Sequence, residues 1–379
     1  MIIGFDGKRA VQNNTGLGNY SRLLVEVLAT RFPEHLYALY APKLRPNPRL
    51  KPLMELDNVE LHTPDTASGR TFGALWRSRG ITSALKEDKV SLYHGLSGEL
   101  PMNIAGSGIP SVVTIHDLIF RRFPECYSAV DRRIYDYKFR HAAERADRII
   151  AISECTRRDI MEFYNIPAEK IDVVYQGCDR QFRTRPSDAA IERVKAKYGL
   201  ERPYIISVGT IETRKNQVMA VRGLRGLPDD LDIVLVGRRT PYARTIDHYV
   251  STYSIGSRVK FIEQADFADL PALYAGAYFS SYTSRYEGFG IPVIESLSVG
   301  TPVIVASGSC LEEAAGPSAP SVDPDDVEDW INTAKELFNY TESRDRLARQ
   351  GQEYVSRFND ADMAEKTMET YLRALREHS

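Results

Sequence analysis

The stretch that decides the fold of this chain is Ser281-Tyr-Thr-Ser-Arg-Tyr-Glu-Gly-Phe-Gly-Ile-Pro-Val-Ile-Glu-Ser-Leu-Ser-Val-Gly-Thr-Pro-Val-Ile-Val305. It predicts a loop, a helix, a sharp turn that ends the helix, and a strand, in that order. Pro292 has a fixed φ and no N–H, which suits the first turn of a helix, and Gly300 suits the left-handed residue that ends one. The segment 301–305 is apolar and predicts a short buried strand.

A glycine-rich loop, Glu287-Gly288-Phe289-Gly290, leads into this helix at Ile291. Glycines let the backbone approach a ligand closely, and the free N–H groups of a first helical turn favour an anion. A phosphate bound there would repel Glu287 and Glu295. We therefore expect both carboxylates to accept hydrogen bonds from neutral hydroxyls, those of a sugar and of a ribose on either side of a diphosphate. An ordinary helix with solvated glutamates is the alternative.

The run from Glu287 to Glu295 closely resembles the E-x7-E element of retaining glycosyltransferases of family 4, which have the two-domain GT-B fold. The resemblance implies that Glu287 holds the transferred sugar and that Glu295 holds the ribose. It also implies that the four residues directly after Glu287 contact the donor: Gly288, Phe289, Gly290 and Ile291.

The segment from Gly209 to Gln217 resembles the donor-diphosphate motif of the same family. It follows the predicted strand 204–209 and contains Arg214 and Lys215. A guanidinium fork beside an ammonium suits a diphosphate without a metal ion, although an Arg-Lys pair alone is usually a solvated surface pair. We expect Gly209, Arg214 and Lys215 to bind the donor, and both cations to act in catalysis.

A predicted strand at 112–115 ends in His116-Asp117. Loops at the carboxyl ends of strands carry function in open α/β sheets. A structural histidine is the alternative, but the pair resembles the active-site histidine of the family. We therefore expect His116 to contact the transferred sugar and Asp117 to lie at the acceptor.

Two further loops of the first half are candidate binding elements. Gly16 and Gly18 lie between the first predicted strand and a helix from about Tyr20 to Arg31, and this stretch resembles the donor-side glycine loop of the family, with a tight turn as the alternative. The loop that begins with Arg121 and Arg122 is basic and aromatic, and it predicts either a lid over an acceptor or a solvated basic face.

Strands and helices alternate along the whole chain, which predicts two Rossmann-like, doubly wound parallel-sheet domains facing a cleft, an α/β protein of the GT-B class. The predicted domains are 1–182 on the acceptor side and 203–358 on the donor side, with a linker over 183–202. An amphipathic helix at about 360–379 is expected to pack back on the first domain, as the resemblance implies.

Composition narrows the functional class. The chain has 379 residues and a net charge of −2, so it lacks the basic footprint of a nucleic-acid-binding protein. Four cysteines without CxxC spacing argue against a zinc site and fit a reducing compartment. Three Asp-x-Asp strings, beginning at Asp230, Asp323 and Asp360, lie away from the predicted site, so we expect no metal and no cofactor.

The predicted location is the cytoplasm, because no apolar run reaches the ~18 residues of a membrane helix. Residues 1–190 carry 27 basic and 23 acidic side chains, which leaves peripheral association at the inner face of the plasma membrane open. The oligomeric state is not predicted.

The resemblance implies transfer of a sugar from a nucleotide donor to a hydroxyl of a glycan or lipid-linked acceptor, with retention and without a metal ion. The pattern is most similar to mannosyltransferases of bacterial surface-polysaccharide assembly, which favours GDP-mannose. Three alternatives stay open: a UDP-sugar donor, a GT-B enzyme without transfer activity (an epimerase or phosphorylase), and a catalytically silent subunit that binds a sugar nucleotide.

Overall fold

The computed structural model describes residues 1–64 and 72–378, which form two compact units. The first comprises Met1–Gln176 and Asn359–Ser379, and the second comprises Gly177–Phe358. The segment 183–202, predicted as a linker, is part of the second unit. Arg185 ties it there by donating hydrogen bonds to Val299 O over 3.0 Å and to Ala275 O over 3.1 Å.

The sheet of the first unit has seven parallel strands. In chain order they are β1 (Ile2–Asp6), β2 (Leu36–Tyr40), β3 (Val59–His62), β4 (Leu92–Gly95), β5 (Ser111–Ile115), β6 (Arg148–Ala151) and β7 (Ile171–Val173). They lie side by side in the order β3-β2-β1-β4-β5-β6-β7. The strand order therefore reverses between β1 and β4, the position at which open α/β sheets bind ligands at their carboxyl edge.

The sheet of the second unit has six parallel strands. They are β8 (Tyr204–Val208), β9 (Asp232–Val236), β10 (Val259–Ile262), β11 (Phe279–Tyr282), β12 (Val303–Ala306) and β13 (Ser321–Val322). Their order is β10-β9-β8-β11-β12-β13, so the reversal lies between β8 and β11. The prediction of doubly wound parallel sheets is confirmed, while β13 is too short to stand out in the sequence.

Helices connect these strands, as the alternation of patterns predicts. In the first unit they are Lys8–Gln12, Gly16–Arg31, Lys51–Met54, Gly73–Leu75, a wider π-type segment at Trp76–Gly80, Ile81–Glu87, Ile119–Arg122, Ala129–Arg145, Glu154–Tyr164 and Asp360–Glu377. In the second unit they are Asp188–Lys197, Val218–Gly223, Ala243–Thr252, Leu270–Ala275, Ile291–Ser298, Leu311–Ala315, Val327–Asn339 and Thr341–Val355.

Burial explains why the strand sequences are continuous apolar runs and do not alternate between apolar and polar residues. Every residue of β9 is buried, and so is every residue of β5 and β12. A parallel sheet covered by helices on both faces hides both sides of each strand, so the alternation of a half-exposed strand is absent.

The last helix, Asp360–Glu377, belongs to the first unit. Tyr371 on this helix hydrogen-bonds through its hydroxyl to His94 Nδ1 of β4 over 2.7 Å, and the other ring nitrogen of His94 lies 2.8 Å from Thr114 Oγ1. Burial lowers the pKa of His94 to about 3, so the ring is neutral. This histidine therefore has a structural role in anchoring the helix.

Within the described part of the chain, no helix combines the length and the apolar character that crossing a bilayer requires. The location in the cell stays a prediction.

Candidate functional site

The predicted donor-site residues of the second unit lie at the point where its strand order reverses. Arg214 and Lys215 occupy a short 3-10 turn, Thr213–Lys215, in the segment after β8, and Glu287 lies in the loop after the neighbouring strand β11. The two loops are joined through their backbones, because Arg285 N donates a hydrogen bond to Arg214 O over 2.8 Å. Adjacent parallel strands thus bring together residues from distant parts of the sequence.

Glu287 is held between the two cations. Lys215 Nζ donates to Glu287 Oε1 over 2.8 Å, and Arg214 Nη1 lies 2.6 Å from Glu287 Oε2. Ser284 Oγ also donates to Oε1 over 2.9 Å. Burial raises the pKa of Glu287, but the charges of Lys215 and Arg214 outweigh it and hold the pKa at about 2. The carboxylate is therefore ionised at every ordinary pH.

The sequence did not reveal this pairing. We expected Glu287 to accept hydrogen bonds from sugar hydroxyls and the cations to face the diphosphate alone, whereas in the structure the carboxylate and the cations contact one another. Glu212, which was not predicted, accepts a hydrogen bond from Arg214 Nη2 over 2.7 Å. Ser284 was not predicted either, although its position three residues before Glu287 in the same loop is a usable signal.

Gly209 lies beneath Lys215. Its φ is +142°, and a Cβ placed there would be 3.4 Å from Lys215 Nζ. The positive φ is a backbone conformation that side chains rarely adopt, so it favours glycine, whereas an added Cβ would make only ordinary contact with Lys215.

Cys310 holds the backbone of the glycine loop that precedes the helix Ile291–Ser298. The thiol of Cys310 lies 3.0 Å from Glu287 O and 2.8 Å from Phe289 O, and both carbonyls accept from it. Cys310 follows the neighbouring strand β12 and is fully buried. It was counted in the sequence only as a free thiol.

Two details of this loop differ from what the sequence led us to expect. The ring of Phe289 is buried and packs edge-on against Phe358 with ring centres 5.3 Å apart, so only its backbone could border a donor. The helix start also offers fewer amide donors than expected. Pro292 has no N–H, and the N–H groups of Val293 and Ile294 both bond to Gly290 O, over 2.9 and 3.3 Å. Ile291 and Gly288 remain half-buried.

Glu295 is more deeply buried than Glu287. Its Oε2 accepts a hydrogen bond from the Tyr274 hydroxyl over 3.2 Å, and that hydroxyl lies 2.8 Å from the Tyr282 hydroxyl. Burial raises the pKa of Glu295 to about 7; the Tyr274 hydrogen bond opposes this shift and the charge of Asp179 adds to it. Glu287 and Glu295 are thus two carboxyl groups whose environments shift their pKa values in opposite directions.

In the first unit, His116 follows β5 and is half-buried. Its Nε2 lies 2.9 Å from Leu96 O, which can only accept, so this nitrogen carries the proton. Burial lowers the pKa of His116 to about 4; the hydrogen bond to Leu96 opposes this shift, and Arg9 adds to it. The ring is neutral near pH 7, and Nδ1 is then an acceptor. Tyr20 packs edge-on against it at 4.5 Å between ring centres.

The predicted glycine loop at Gly16 and Gly18 is a helix start rather than a loop. The helix begins at Gly16, not near Tyr20. Gly18 is buried, and a Cβ there would lie 1.9 Å from Asn13 O, so close backbone packing requires the glycine. Gly16 is exposed with open space around it. The structure therefore gives Gly18 a packing role, and Gly16 alone faces solvent.

The predicted acceptor residues are largely engaged with other parts of the protein. Arg122 pairs with Asp159 and with Glu162, each at 2.5 Å, and Arg121 lies 3.5 Å from Asp136. Asp117 accepts a hydrogen bond from Ile119 N over 3.1 Å and so caps the turn that follows. These contacts favour the second alternative, a basic protein surface rather than a lid over an acceptor, because the acidic partners neutralise both arginines.

Among the described residues, no group of three or more His, Cys, Asp or Glu side chains is arranged to hold a metal ion. The three Asp-x-Asp strings have other contacts. Asp232 of the first string lies 3.5 Å from Arg202, Arg285 pairs with Asp325 of the second at 2.5 Å, and Asn359 caps the helix that carries the third.

The sequence models of two families match the chain. Residues 15–182 match the family described as Glycosyltransferase Family 4, and residues 189–354 match Glycosyl transferases group 1. The chain is 29% identical over 335 residues to O-antigen chain mannosyltransferase B of Escherichia coli, covering 83% of this chain and 84% of the relative. It is 26% identical to O-antigen chain mannosyltransferase RfbU of Salmonella typhimurium, covering 66% of each.

A solved structure supports the fold. The crystal structure of HepE from Anabaena in complex with UDP superimposes with a TM-score of 0.76, covers 98% of this chain and 99% of that chain, and is 19% identical in sequence. At that identity the likeness shows the fold alone, and it confirms the predicted GT-B class.

Proposed function

The chain belongs to the group 1 glycosyltransferases of family 4, and we propose that it transfers a mannosyl group from GDP-mannose to a hydroxyl of a saccharide acceptor. We propose that this reaction builds a surface polysaccharide. Two relatives named O-antigen chain mannosyltransferases support both the sugar and the process.

The observation that carries the proposal is the cluster of Arg214, Lys215 and Glu287 at the carboxyl edge of the second sheet. Lys215 donates to a single acceptor among the described residues, Glu287, and an ammonium carries further N–H donors. Those donors are oriented by the carboxylate and could contact a diphosphate. A donor nucleotide would thus meet cations that are already in position, which lowers the cost of reorganisation during reaction.

The cations would act most strongly as the sugar–phosphate bond breaks. Negative charge then builds on the leaving diphosphate, and an interaction that strengthens in the transition state raises turnover. Arg214 and Lys215 supply charge of the kind that a divalent cation gives in other transferases, which supports a metal-independent reaction. We propose that Glu287 contacts hydroxyls of the transferred sugar and that Glu295 contacts the ribose.

We further propose that the configuration at the anomeric carbon is retained. The acceptor oxygen would bond to that carbon on the face from which the diphosphate leaves, and the acceptor proton would pass to a leaving phosphate oxygen. Glu287 is a poor candidate for a covalent nucleophile, because both of its oxygens already contact cations. His116, neutral with Nδ1 as an acceptor, is proposed to accept a hydrogen bond from a hydroxyl of the transferred sugar.

A UDP-sugar is the second candidate donor. HepE, which shares the fold, was solved with UDP and with UDP-glucose. An epimerase, a phosphorylase or a silent binding subunit would use the same nucleotide site without transfer, so the assay must detect transfer itself.

Thermal melting of the whole chain with GDP, UDP and ADP, each with and without EDTA, tests the nucleotide and the metal. GDP is expected to raise the melting temperature most, and EDTA is expected to leave that rise unchanged. A rise that requires Mg²⁺ or Mn²⁺ contradicts the metal-free proposal, and a larger rise with UDP reassigns the donor. NMR of the anomeric proton in the product then distinguishes retention from inversion.

A further inference from the structure

The two carboxyl groups of the second unit's site are held in different ways. Glu287 contacts two cations, Arg214 and Lys215. Glu295 is buried, and no lysine, arginine or histidine among the described residues forms an ion pair with it. The Tyr274 hydroxyl donates to its Oε2, whereas its second oxygen, Oε1, accepts no hydrogen bond from any residue that the structure describes. An uncharged donor therefore holds this carboxyl, and one oxygen is left for a ligand.

The Tyr274 hydroxyl is itself held by a second tyrosine. It lies 2.8 Å from the Tyr282 hydroxyl, and each hydroxyl has one proton to donate. Because Tyr274 donates its proton to the ionised Glu295, Tyr282 must be the donor to Tyr274. Three buried side chains thus form a directed chain of hydrogen bonds, from Tyr282 to Tyr274 to Glu295. Hydrogen bonds linked in this way polarise and strengthen one another where water is excluded.

Backbone contacts fix the distance between Tyr274 and the helix that carries Glu295. Tyr274 lies on the helix Leu270–Ala275, and its carbonyl oxygen accepts a hydrogen bond from Thr301 Oγ1 over 2.8 Å. Thr301 also donates through its N–H to Ser296 O over 2.9 Å, and Ser296 is the residue after Glu295. Thr301 therefore ties the two helices together, so the hydroxyl and the carboxyl are in position before a nucleotide arrives.

The groups around Glu295 leave Tyr274 to stabilise its charge. The ionisable side chains near it from other elements are Cys178, Asp179, Tyr274 and Tyr282. Burial raises the pKa of Glu295, the Tyr274 hydrogen bond lowers it, and the charge of Asp179 raises it. Glu312 and Tyr354, on two other helices that pack against the helix of Glu295, hydrogen-bond elsewhere. Among the described groups, the Tyr274 hydroxyl is thus the one that opposes protonation of this carboxyl.

We propose that Tyr274 is a positioning residue for the nucleotide: its hydroxyl, held by that of Tyr282, orients the Glu295 carboxyl so that Oε1 accepts hydrogen bonds from the ribose hydroxyls. Tyr274 acts through Glu295. Its hydrogen bond also favours the carboxylate over the carboxylic acid, and a carboxylate is the stronger acceptor. The inference rests on the proposed function, in which Glu295 contacts the ribose, and it adds the two tyrosines that make this carboxyl able to do so.

Two nucleotides that differ only in the ribose hydroxyls measure this contact. Calorimetry of the whole chain with GDP and with 2′,3′-dideoxy-GDP at about pH 8, above the pKa of Glu295, gives the ratio of their affinities. In the wild type GDP is expected to bind at least about tenfold more tightly, since it alone donates hydrogen bonds to the charged carboxylate. In Tyr274→Phe the ratio is expected to fall to about threefold or less, because the carboxyl is no longer oriented.

The pH dependence of the same ratio provides a second readout. In the wild type the ratio is expected to rise with pH through about 7, as Glu295 ionises, and the titration of the diphosphate cancels because both nucleotides carry it. In Tyr274→Phe the midpoint is expected to move upward by about one pH unit, since the variant loses the hydrogen bond that favours the charged form. Tyr282→Phe is expected to show a smaller shift in the same direction.

Tyr204→Phe is the matched control. The Tyr204 side chain is as buried as that of Tyr274, and its hydroxyl donates to Leu273 O over 2.7 Å. The variant therefore loses a buried hydrogen bond beside Tyr274 without changing the partners of Glu295. It is expected to melt at a lower temperature than the wild type and to keep both the affinity ratio and its midpoint.

A wild-type ratio and midpoint in Tyr274→Phe would overturn the proposal and leave the tyrosines a purely structural role. If Tyr274→Phe fails to fold, the same result in Tyr282→Phe overturns it. Glu295→Gln separates this failure from failure of the donor proposal. Loss of the ratio in Glu295→Gln together with its survival in Tyr274→Phe refutes the positioning role alone. A wild-type ratio in Glu295→Gln removes Glu295 from the ribose, and this inference is then refuted with it.

Discussion

Lys215 Nζ donates a hydrogen bond to Glu287 Oε1 over 2.8 Å, although 72 residues of sequence separate them. The contact joins the loops after β8 and β11, which are neighbours only because the strand order reverses there. It fixes the ammonium and the carboxylate before any donor arrives. Removing either partner therefore changes both the charge of the site and the position of the group left behind.

Arg214→Ala and Lys215→Ala are each expected to reduce kcat strongly while the fold survives. Each variant removes positive charge that opposes the charge developing on the leaving diphosphate, worth roughly 2–4 kcal/mol in the transition state for one donor. Steady-state kinetics and thermal melting are measured on the same preparations. Lys335→Ala, on the exposed face of the helix Val327–Asn339, is the matched control. A loss of melting temperature that accounts for the loss of activity would instead assign the pair a structural role.

Glu287→Ala is expected to lower turnover and sugar selectivity while affinity for free GDP stays intact. The variant removes the carboxylate that positions Lys215 and Arg214, but it also removes negative charge beside the diphosphate, and we expect these two effects on GDP affinity to offset each other. Calorimetry with GDP and transfer rates with several nucleotide sugars measure the two effects. Glu336→Ala, an exposed glutamate on the helix Val327–Asn339, serves as control. Abolished GDP binding in Glu287→Ala would reverse the proposed orientation of the donor.

Glu295→Gln is expected to become more stable relative to the wild type as pH rises. The pKa of Glu295 is about 7 in the folded state and near its usual 4.5 when unfolded, so the folded state holds the proton more tightly. The stability that this group contributes is full below about pH 4.5 and is lost as pH rises through about 7. Melting curves of both proteins between pH 4 and 9, the range that brackets the two pKa values, should diverge in that window and then run parallel. Parallel curves throughout would contradict the raised pKa.

Affinity for GDP is expected to rise with pH through about 7 in the wild type more than in Glu295→Gln. If the ribose hydroxyls donate to Glu295, they favour its ionised form, so binding releases a proton. Phosphate groups titrate near pH 6 as well. The quantity to compare is therefore the pH dependence of GDP affinity in the wild type minus that in Glu295→Gln. Calorimetry at several pH values supplies it. Identical pH profiles would remove Glu295 from the ribose site.

Cys310→Ala is expected to lower kcat several-fold with little change in KM, and Cys310→Ser is expected to restore most of the loss. The thiol contacts the carbonyls of Glu287 and Phe289 and so positions the glycine loop without reaching the substrate. A hydroxyl can donate to the same carbonyls, whereas a methyl group cannot. Kinetics of the three proteins measure the effect. Equal activity of Cys310→Ala and the wild type would show that the loop holds its position without the thiol.

The sequence by itself determined the fold class and the family. Apolar runs that alternate with amphipathic segments required parallel sheets, because only strands buried on both faces lack alternation. Pro292 and Gly300 marked the ends of one helix through their own backbone limits, and the helix Ile291–Ser298 with Gly300 at φ +83° agrees. Local covalent geometry is read directly from residue type, so these features needed no tertiary information.

Only the tertiary structure decided which side chains contact one another. Arg122 looked available for an acceptor until the fold placed Asp159 and Glu162 beside it. Gly18 looked like part of a ligand loop until Asn13 O was found 1.9 Å from where its Cβ would be. Asp6, Arg77 and Glu99 carry no motif, yet strand order brings them into one network. Charge pairing and burial depend on distances through space, and strand order fixes those distances between residues that lie far apart in sequence.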